Sequence, residues 1–293
     1  MKTTAVVGLG NMGIGMAKNL LQAGFPVIGC DLRADRRDLL AEMGGRPADG
    51  LADLAGTDAV FVMVLSGAQA LDVVHGLKDV LDEGATIIVT ATIAPVEMRA
   101  LDTALAGCKL NLIDSPVSGG KAGAEAGTLT MMVATAEEVF AANQDVLHAV
   151  GEQIFHVGTS PGMGQTVKAS LQALIGVTFV GIFESLAMGA KAGIKGETLY
   201  EVFGSTHVGN TPFFKNCAKL IMDRQFENTG SHIGTMYKDL GISLALAREN
   251  GMSLFATSTA YELFQAGISL YPEGDNWSIV KFLEQISGTE VHW

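Results

Sequence analysis

The chain has 293 residues, more than one typical domain needs, so two domains are the natural expectation. Hydrophobic residues make up 48% and charged residues 17%, ample for large buried cores and too apolar for disorder. A net charge of −12 with no dense Lys/Arg block repels phosphate backbones and argues against nucleic acid as a partner.

No apolar run of about 18 residues is free of Gly, polar or charged interruptions, so no transmembrane helix and no membrane partner are expected. The N-terminus enters a strand-like Thr4-Ala5-Val6-Val7 without a signal peptide's long apolar stretch, which points to a cytoplasmic protein. Cys30, Cys108 and Cys217 are odd in number and lack metal-type spacing. They read as reduced thiols, with no metal site.

In chain order, strand-like runs at Thr4–Gly8, Val27–Asp31, Ala59–Val64, Thr86–Thr90 and Leu110–Asp114 alternate with amphipathic stretches such as Gly13–Ala23 and Asp35–Met43. Such alternation predicts a parallel sheet with helices on both faces. Further strands are expected at Leu129–Val133 and Gln153–His156, flanking a helix over Ala136–Val150. After Ser160-Pro161-Gly162 the pattern changes. One long helix is expected from Gln165 to Ala192, followed by helices at Glu197–Gly204, Phe213–Arg224, Ile233–Asn250, Ser258–Ala266 and Asn276–Gln285. The expected organisation is an α/β domain over residues 1–161 and an all-helical domain over 162–293, joined by the long helix.

Gly8-Leu9-Gly10-Asn11-Met12-Gly13 is a G-x-G-x-x-G turn that directly follows a strand and opens a helix. Gly8 permits the tight turn, Gly10 lets backbone approach a pyrophosphate, and Gly13 lets helix pack on strand. Asp31 ends the second strand 18 residues beyond Gly13, where a carboxylate can accept hydrogen bonds from an adenosine ribose. Together these predict a Rossmann-type, doubly wound dinucleotide-binding domain. A carboxylate there repels a 2′-phosphate, favouring NAD, although Arg33, Arg36 and Arg37 keep NADP open.

Two further features invite inspection. Ser118-Gly119-Gly120 follows a strand and exposes a hydroxyl and backbone N–H groups together, which suits a carboxylate. Lys168 lies in the first turns of the long helix, with Gln172 four residues on and hence on the same face. A lysine at a domain junction would face a cleft, and desolvation makes an ammonium easier to deprotonate.

Four blocks in order give the chain its likeness to a family: Gly8–Gly13 continuing through Met16-Ala17-Lys18-Asn19-Leu20; Asp114–Gly120 continuing to Gly127-Thr128-Leu129; Gly162-Met163-Gly164 through Lys168; and Lys238-Asp239-Leu240. Over essentially its whole length the chain resembles the β-hydroxyacid dehydrogenases, the family of 3-hydroxyisobutyrate dehydrogenase. The resemblance implies hydride transfer between NAD(H) and a small hydroxy acid or semialdehyde. Lys168 would exchange the hydroxyl proton, and Ser118, Gly119 and Gly120 would hold the substrate carboxylate. It implies that Thr92 lies near the nicotinamide ribose, Leu65 and Ser66 along the cofactor, and Lys238 towards the nicotinamide end. A homodimer or homotetramer is implied as well.

The departures are informative. Where the family pattern runs Lys-x-x-Asn-Asn, this chain has Lys168-Ala169-Ser170-Leu171-Gln172, so Gln172 would orient the substrate hydroxyl from a shifted position. Ser231 stands where many members have phenylalanine. Both look more like the L-threonate dehydrogenase branch, and both make a pocket more polar. The loop Gly204–Phe214 is expected to line the pocket, with His207 as a binding or solvated residue. Two rival readings are an NADPH-dependent reductase of a semialdehyde or imine, and a dinucleotide sensor without chemistry. Imine-reducing relatives generally lack the lysine, and a sensor would have no need of Lys168, Ser118 and Gln172 together.

Overall fold

The computed structural model describes every residue from Met1 to Trp293 and divides into two compact units, Met1–Lys168 and Ala169–Trp293.

The first unit is built on a nine-stranded sheet. Its strands are β1 (Thr4–Val7), β2 (Val27–Cys30), β3 (Arg46–Ala48), β4 (Ala59–Val62), β5 (Thr86–Val89), β6 (Asn111–Asp114), β7 (Val117–Ser118), β8 (Leu129–Ala134) and β9 (Gly151–Gly158). They run in the order β3-β2-β1-β4-β5-β6-β8-β7, with β9 on β8. The short central strands are buried at every position, and apolar apart from Thr4 and Thr86, because both faces are covered. Alternate residues go to opposite cores: Val6, Phe61 and Ile88 to one, and Ala5, Val7, Val60, Val62, Ile87 and Val89 to the other. The first core is closed by α1 (Asn11–Gln22), α2 (Ala34–Glu42), α5 (Gly120–Ala126) and α7 (Gln144–Val150), and the second by α3 (Gly67–Leu77) and α4 (Pro95–Ala104).

Strands β3 to β6 pair in parallel, as the alternation predicts. β8, however, is antiparallel to both β6 and β7. Pro116 has no N–H to continue the β6 ladder, so the chain diverges into the two-residue β7 and a short helix before returning. The expected Ala136–Val150 helix is also two helices, α6 (Glu137–Ala142) and α7, broken at Asn143. There the side chain donates to the Val139 carbonyl, which competes with helix continuation.

The long helix α8 runs from Met163 to Lys191, and the division between the units falls within it. It is long and apolar enough to cross a bilayer by length and composition alone. Its Phe183 and Leu186 are fully buried in the helical core of the second unit, and it carries three buried polar residues, Gln165, Lys168 and Gln172. The second unit continues with α9 (Gly196–Ser205), α10 (Pro212–Met222), α11 (Ile233–Glu249), α12 (Phe255–Leu270) and α13 (Ile279–Ser287) around one apolar core. Helices α8 and α11 approach closely at Gly176, where a Cβ would stand 2.6 Å from Leu240. Ser243 of α11 donates to the Ala169 carbonyl at 2.7 Å.

Truncating a fully buried aromatic leaves a cavity. Phe183→Ala is therefore expected to cost about 3–5 kcal/mol in urea unfolding, whereas Val208→Ala, at a 90% exposed position, should change stability by no more than about 0.5 kcal/mol. Equal effects would contradict this core assignment.

Candidate active site

Strand order reverses between β1 and β4, and the turn leaving β1 carries the glycines. Gly8 has φ +92°, and a Cβ on it would stand 2.2 Å from the Met63 carbonyl oxygen. A Cβ on Gly13 would stand 1.8 Å from the Gly8 carbonyl oxygen. Only glycine fits at either place. At Gly10 a Cβ would meet nothing within 4 Å, so this side of the turn faces open space. Helix α1 begins here with no side-chain cap and no acid in its first turn, leaving N–H groups and a positive helix end for an anion. Leu9 is buried beneath the turn, Met12 is half-buried and Asn11 is exposed. The cradle fits a dinucleotide pyrophosphate.

Asp31 follows β2, and its two carboxylate oxygens accept from Leu9 N–H (2.7 Å) and Arg33 N–H (2.9 Å). Two backbone bonds hold it over the glycine turn with lone pairs left for ribose hydroxyls. The three arginines nearby are occupied. Arg36 Nε donates to the Leu9 carbonyl (2.6 Å), Arg37 Nη1 to the Asp31 carbonyl (2.7 Å), and Arg33 pairs with Asp35 (Nε–Oδ1 3.0 Å). That exposed pair holds the Asp35 carboxyl below its ordinary range and raises the Arg33 guanidinium.

Leu65 and Ser66 lie between β4 and α3. Leu65 is 79% exposed, its N–H donating to Gln69 Oε1 (2.9 Å), and Ser66 Oγ caps α3 by accepting from Gln69 N–H (3.3 Å). Thr92 is half-buried between β5 and α4. Ser118 ends β7 and is half-buried, and Gly119 and Gly120 follow at φ +135° and +59°. A Cβ on Gly119 would press on Leu129 at 3.0 Å, whereas one on Gly120 would meet nothing within 4 Å.

Lys168 is 6% exposed in the first turns of α8. Gln172, also buried, donates from Nε2 to Asp239 Oδ2 (2.5 Å). Lys238 Nζ makes a charge contact with the other oxygen of Asp239 at 3.0 Å, without aligned hydrogen-bond geometry. Gln172, Lys238 and Asp239 are thus brought together in the second unit. Ser231 N–H donates to Asp275 Oδ1 (3.0 Å), and its hydroxyl accepts from Asn276 Nδ2 (2.7 Å). His207 is exposed.

Sequence reasoning missed three groups: Asp239, Asp114 and Gln165. Asp114 closes β6, and its Oδ2 accepts from Gly162 N–H (2.8 Å), Gly164 N–H (2.9 Å) and Gln165 N–H (3.3 Å). It caps α8 from 48 to 51 residues away. Its Oδ1 is buried with no hydrogen-bond partner, and desolvation outweighs the three donors, so its carboxyl is pushed up to about 6. The available signal was an Asp ending a strand ahead of a Gly-x-Gly helix start with no side-chain cap of its own.

A doubly wound sheet with this glycine turn and acid defines a dinucleotide-dependent dehydrogenase scaffold, and the relatives narrow the class. Residues 3–158 match the family described as the NAD-binding domain of 6-phosphogluconate dehydrogenase. Residues 162–283 match the one described as NAD-binding of NADP-dependent 3-hydroxyisobutyrate dehydrogenase. The chain is 33% identical to L-threonate dehydrogenase of Escherichia coli, covering 96% of this chain and 95% of that one. It is 31% identical to 2-(hydroxymethyl)glutarate dehydrogenase of Eubacterium barkeri, covering 97% and 96%. A crystal structure of 3-hydroxyisobutyrate dehydrogenase from Salmonella typhimurium superposes with a TM-score of 0.89 at 30% identity, covering 96% and 100%. The chain belongs to the 3-hydroxyisobutyrate dehydrogenase-like family of β-hydroxyacid dehydrogenases, NAD(P)-dependent enzymes acting on the hydroxyl of hydroxy acids.

An acid whose pKa is higher folded than unfolded stabilises the fold fully below its unfolded value near 3.8, and that stability is lost as pH rises towards about 6. Relative to Asp114→Asn, the wild type should therefore lose about 2 kcal/mol of unfolding free energy between pH 4 and pH 7. A difference that stays constant with pH would show that Asp114 titrates normally.

Proposed function

We propose that the chain oxidises a small polyhydroxylated C3 or C4 acid of the threonate type, reversibly, with NAD preferred over NADP. Lys168 manages the proton, and residues 1–161 and 162–293 act as the cofactor and substrate domains. The observation that carries this reading is the buried Lys168 on the helix that Asp114 caps, in the same unit as Ser118, Gly119 and Gly120.

The nicotinamide, when bound, supplies the hydride acceptor or donor. Gly8 to Gly13 would hold the pyrophosphate, Asp31 would accept hydrogen bonds from the ribose hydroxyls, Leu65 and Ser66 would flank the dinucleotide, and by the resemblance Thr92 and Lys238 would serve its nicotinamide end. Ser118 and the Gly119 and Gly120 N–H groups hold the substrate carboxylate. The neutral amine of Lys168 takes the hydroxyl proton as the carbonyl forms, and its ammonium returns that proton in reduction. Asp239 fixes the Gln172 NH2 group, which leaves Oε1 to accept from a substrate hydroxyl. The NAD preference is supported by the fixed Asp31 carboxylate and by arginines already engaged with backbone or Asp35. Gln172 and Ser231 support a hydroxylated rather than a branched aliphatic acid. The resemblance supports a homodimer or homotetramer, measurable by light scattering. The three free cysteines fit a reducing compartment such as the cytoplasm.

Activity with L-threonate, 3-hydroxyisobutyrate and 2-(hydroxymethyl)glutarate, read by nicotinamide absorbance with NAD and with NADP, tests the substrate class. L-Threonate with NAD should be turned over fastest, and a clear preference for 3-hydroxyisobutyrate would overturn the polar-pocket reading. Lys168→Ala should lower kcat by about 10²- to 10⁴-fold while NADH affinity, read by fluorescence, stays within a few-fold. Near-normal turnover would remove Lys168 from the proton path. Asp31→Ala should weaken NAD more than NADP, and an unchanged ratio would shift cofactor choice to the arginines.

A further inference from the structure

We propose that Gln165 is a positioning residue that sets Lys168 against the loop carrying Thr92. This rests on the role proposed for Lys168 and adds a residue whose carboxamide is hydrogen-bonded to two backbone groups of that loop.

Gln165 is 1% exposed. Its Oε1 accepts from Ile93 N–H at 3.1 Å, and its Nε2 donates to the Ala91 carbonyl at 3.0 Å. Those two peptide groups flank Thr92 on either side. One carboxamide therefore binds the loop as a neighbouring strand would, with one donor and one acceptor matched to the spacing of the backbone. The main-chain N–H of Gln165 donates to Asp114 Oδ2 together with Gly162 and Gly164, which fixes the same turn of α8 to the end of β6. A Cβ on Gly164 would stand 2.4 Å from the Met132 carbonyl oxygen and 3.0 Å from Asp114 Cγ, so the turn is seated against the strands.

Lys168 is three residues beyond Gln165, on the same helical face. The helix start is thus held by its backbone to β6 and by its side chain to the β5–α4 loop, and Lys168 inherits both constraints. The chemistry of the clamp demands glutamine. Methionine keeps the volume but leaves a buried donor and a buried acceptor unpaired, and asparagine is one methylene too short to reach both. A displacement of about 1 Å at a reacting group costs on the order of 100-fold in rate.

The test compares full-length Gln165→Met, Gln165→Asn and Lys168→Ala with wild type. The substrate is whichever hydroxy acid of the panel above the wild type oxidises fastest, used with and without deuterium at the reacting carbon. For the Gln165 variants, kcat is expected to fall about 30- to 100-fold with a larger isotope effect on kcat, while NADH affinity stays within about 3-fold. Hydrogen exchange in free enzyme should accelerate in the peptide spanning residues 90–95. A purely structural role would lower the yield or melting temperature yet leave kcat and isotope effect per folded site unchanged, and that result overturns the proposal. Should Gln165→Met not fold, Gln165→Asn gives the same readout. If Lys168→Ala keeps its turnover, the proton assignment fails. If it loses turnover while both Gln165 variants keep theirs, only the positioning role is overturned.

Discussion

The start of α8 is held by a carboxylate taken out of water. Asp114 sits at the end of a buried strand, and burying its charge is unfavourable unless donors compensate. Three N–H groups at an otherwise uncapped helix end supply part of that compensation on one oxygen, while the other oxygen stays unpartnered. The helix end and the acid need each other, so neither moves independently. Gln165 carries the same turn to the β5–α4 loop, and Lys168 follows one turn later on a helix that cannot slide.

The cofactor end obeys a different constraint, close approach of backbone. Gly8 and Gly13 are needed for the chain to pass Met63 and itself, whereas Gly10 leaves room on the side where an anion would lie. Asp31 is tied to the same turn through Leu9 N–H, so the acid that would read the ribose and the turn that would hold the phosphates form one rigid piece. Arg36 reinforces it by binding the Leu9 carbonyl. A 2′-phosphate would have to displace these contacts as well as face the carboxylate.

Much of this was legible because it is local. The glycine turn, Asp31 and the strand-helix alternation lie within one βαβ unit, where spacing alone dictates geometry. The long helix was legible from its apolar length, and its family from four ordered blocks. The antiparallel β8 was not, since β7 has only two residues and Pro116 gives no period to read. Nor was the break at Asn143, where a single side-chain bond to Val139 decides between one helix and two. The contacts of Asp114 with α8 and of Gln165 with the Thr92 loop span 48 to 74 residues, and periodicity carries no information at that range. Ser66, expected as a cofactor contact, caps α3, a role that its position just before a helix could have suggested.

The most direct measurement of the central claim is a crystal structure of the ternary complex with NAD and a slowly oxidised hydroxy acid. Lys168 Nζ is predicted to lie about 3 Å from the reacting hydroxyl oxygen, with the acid's carboxylate on Ser118 and the Gly119–Gly120 peptides. An amine more than about 6 Å from that oxygen, with no water between, would contradict the account.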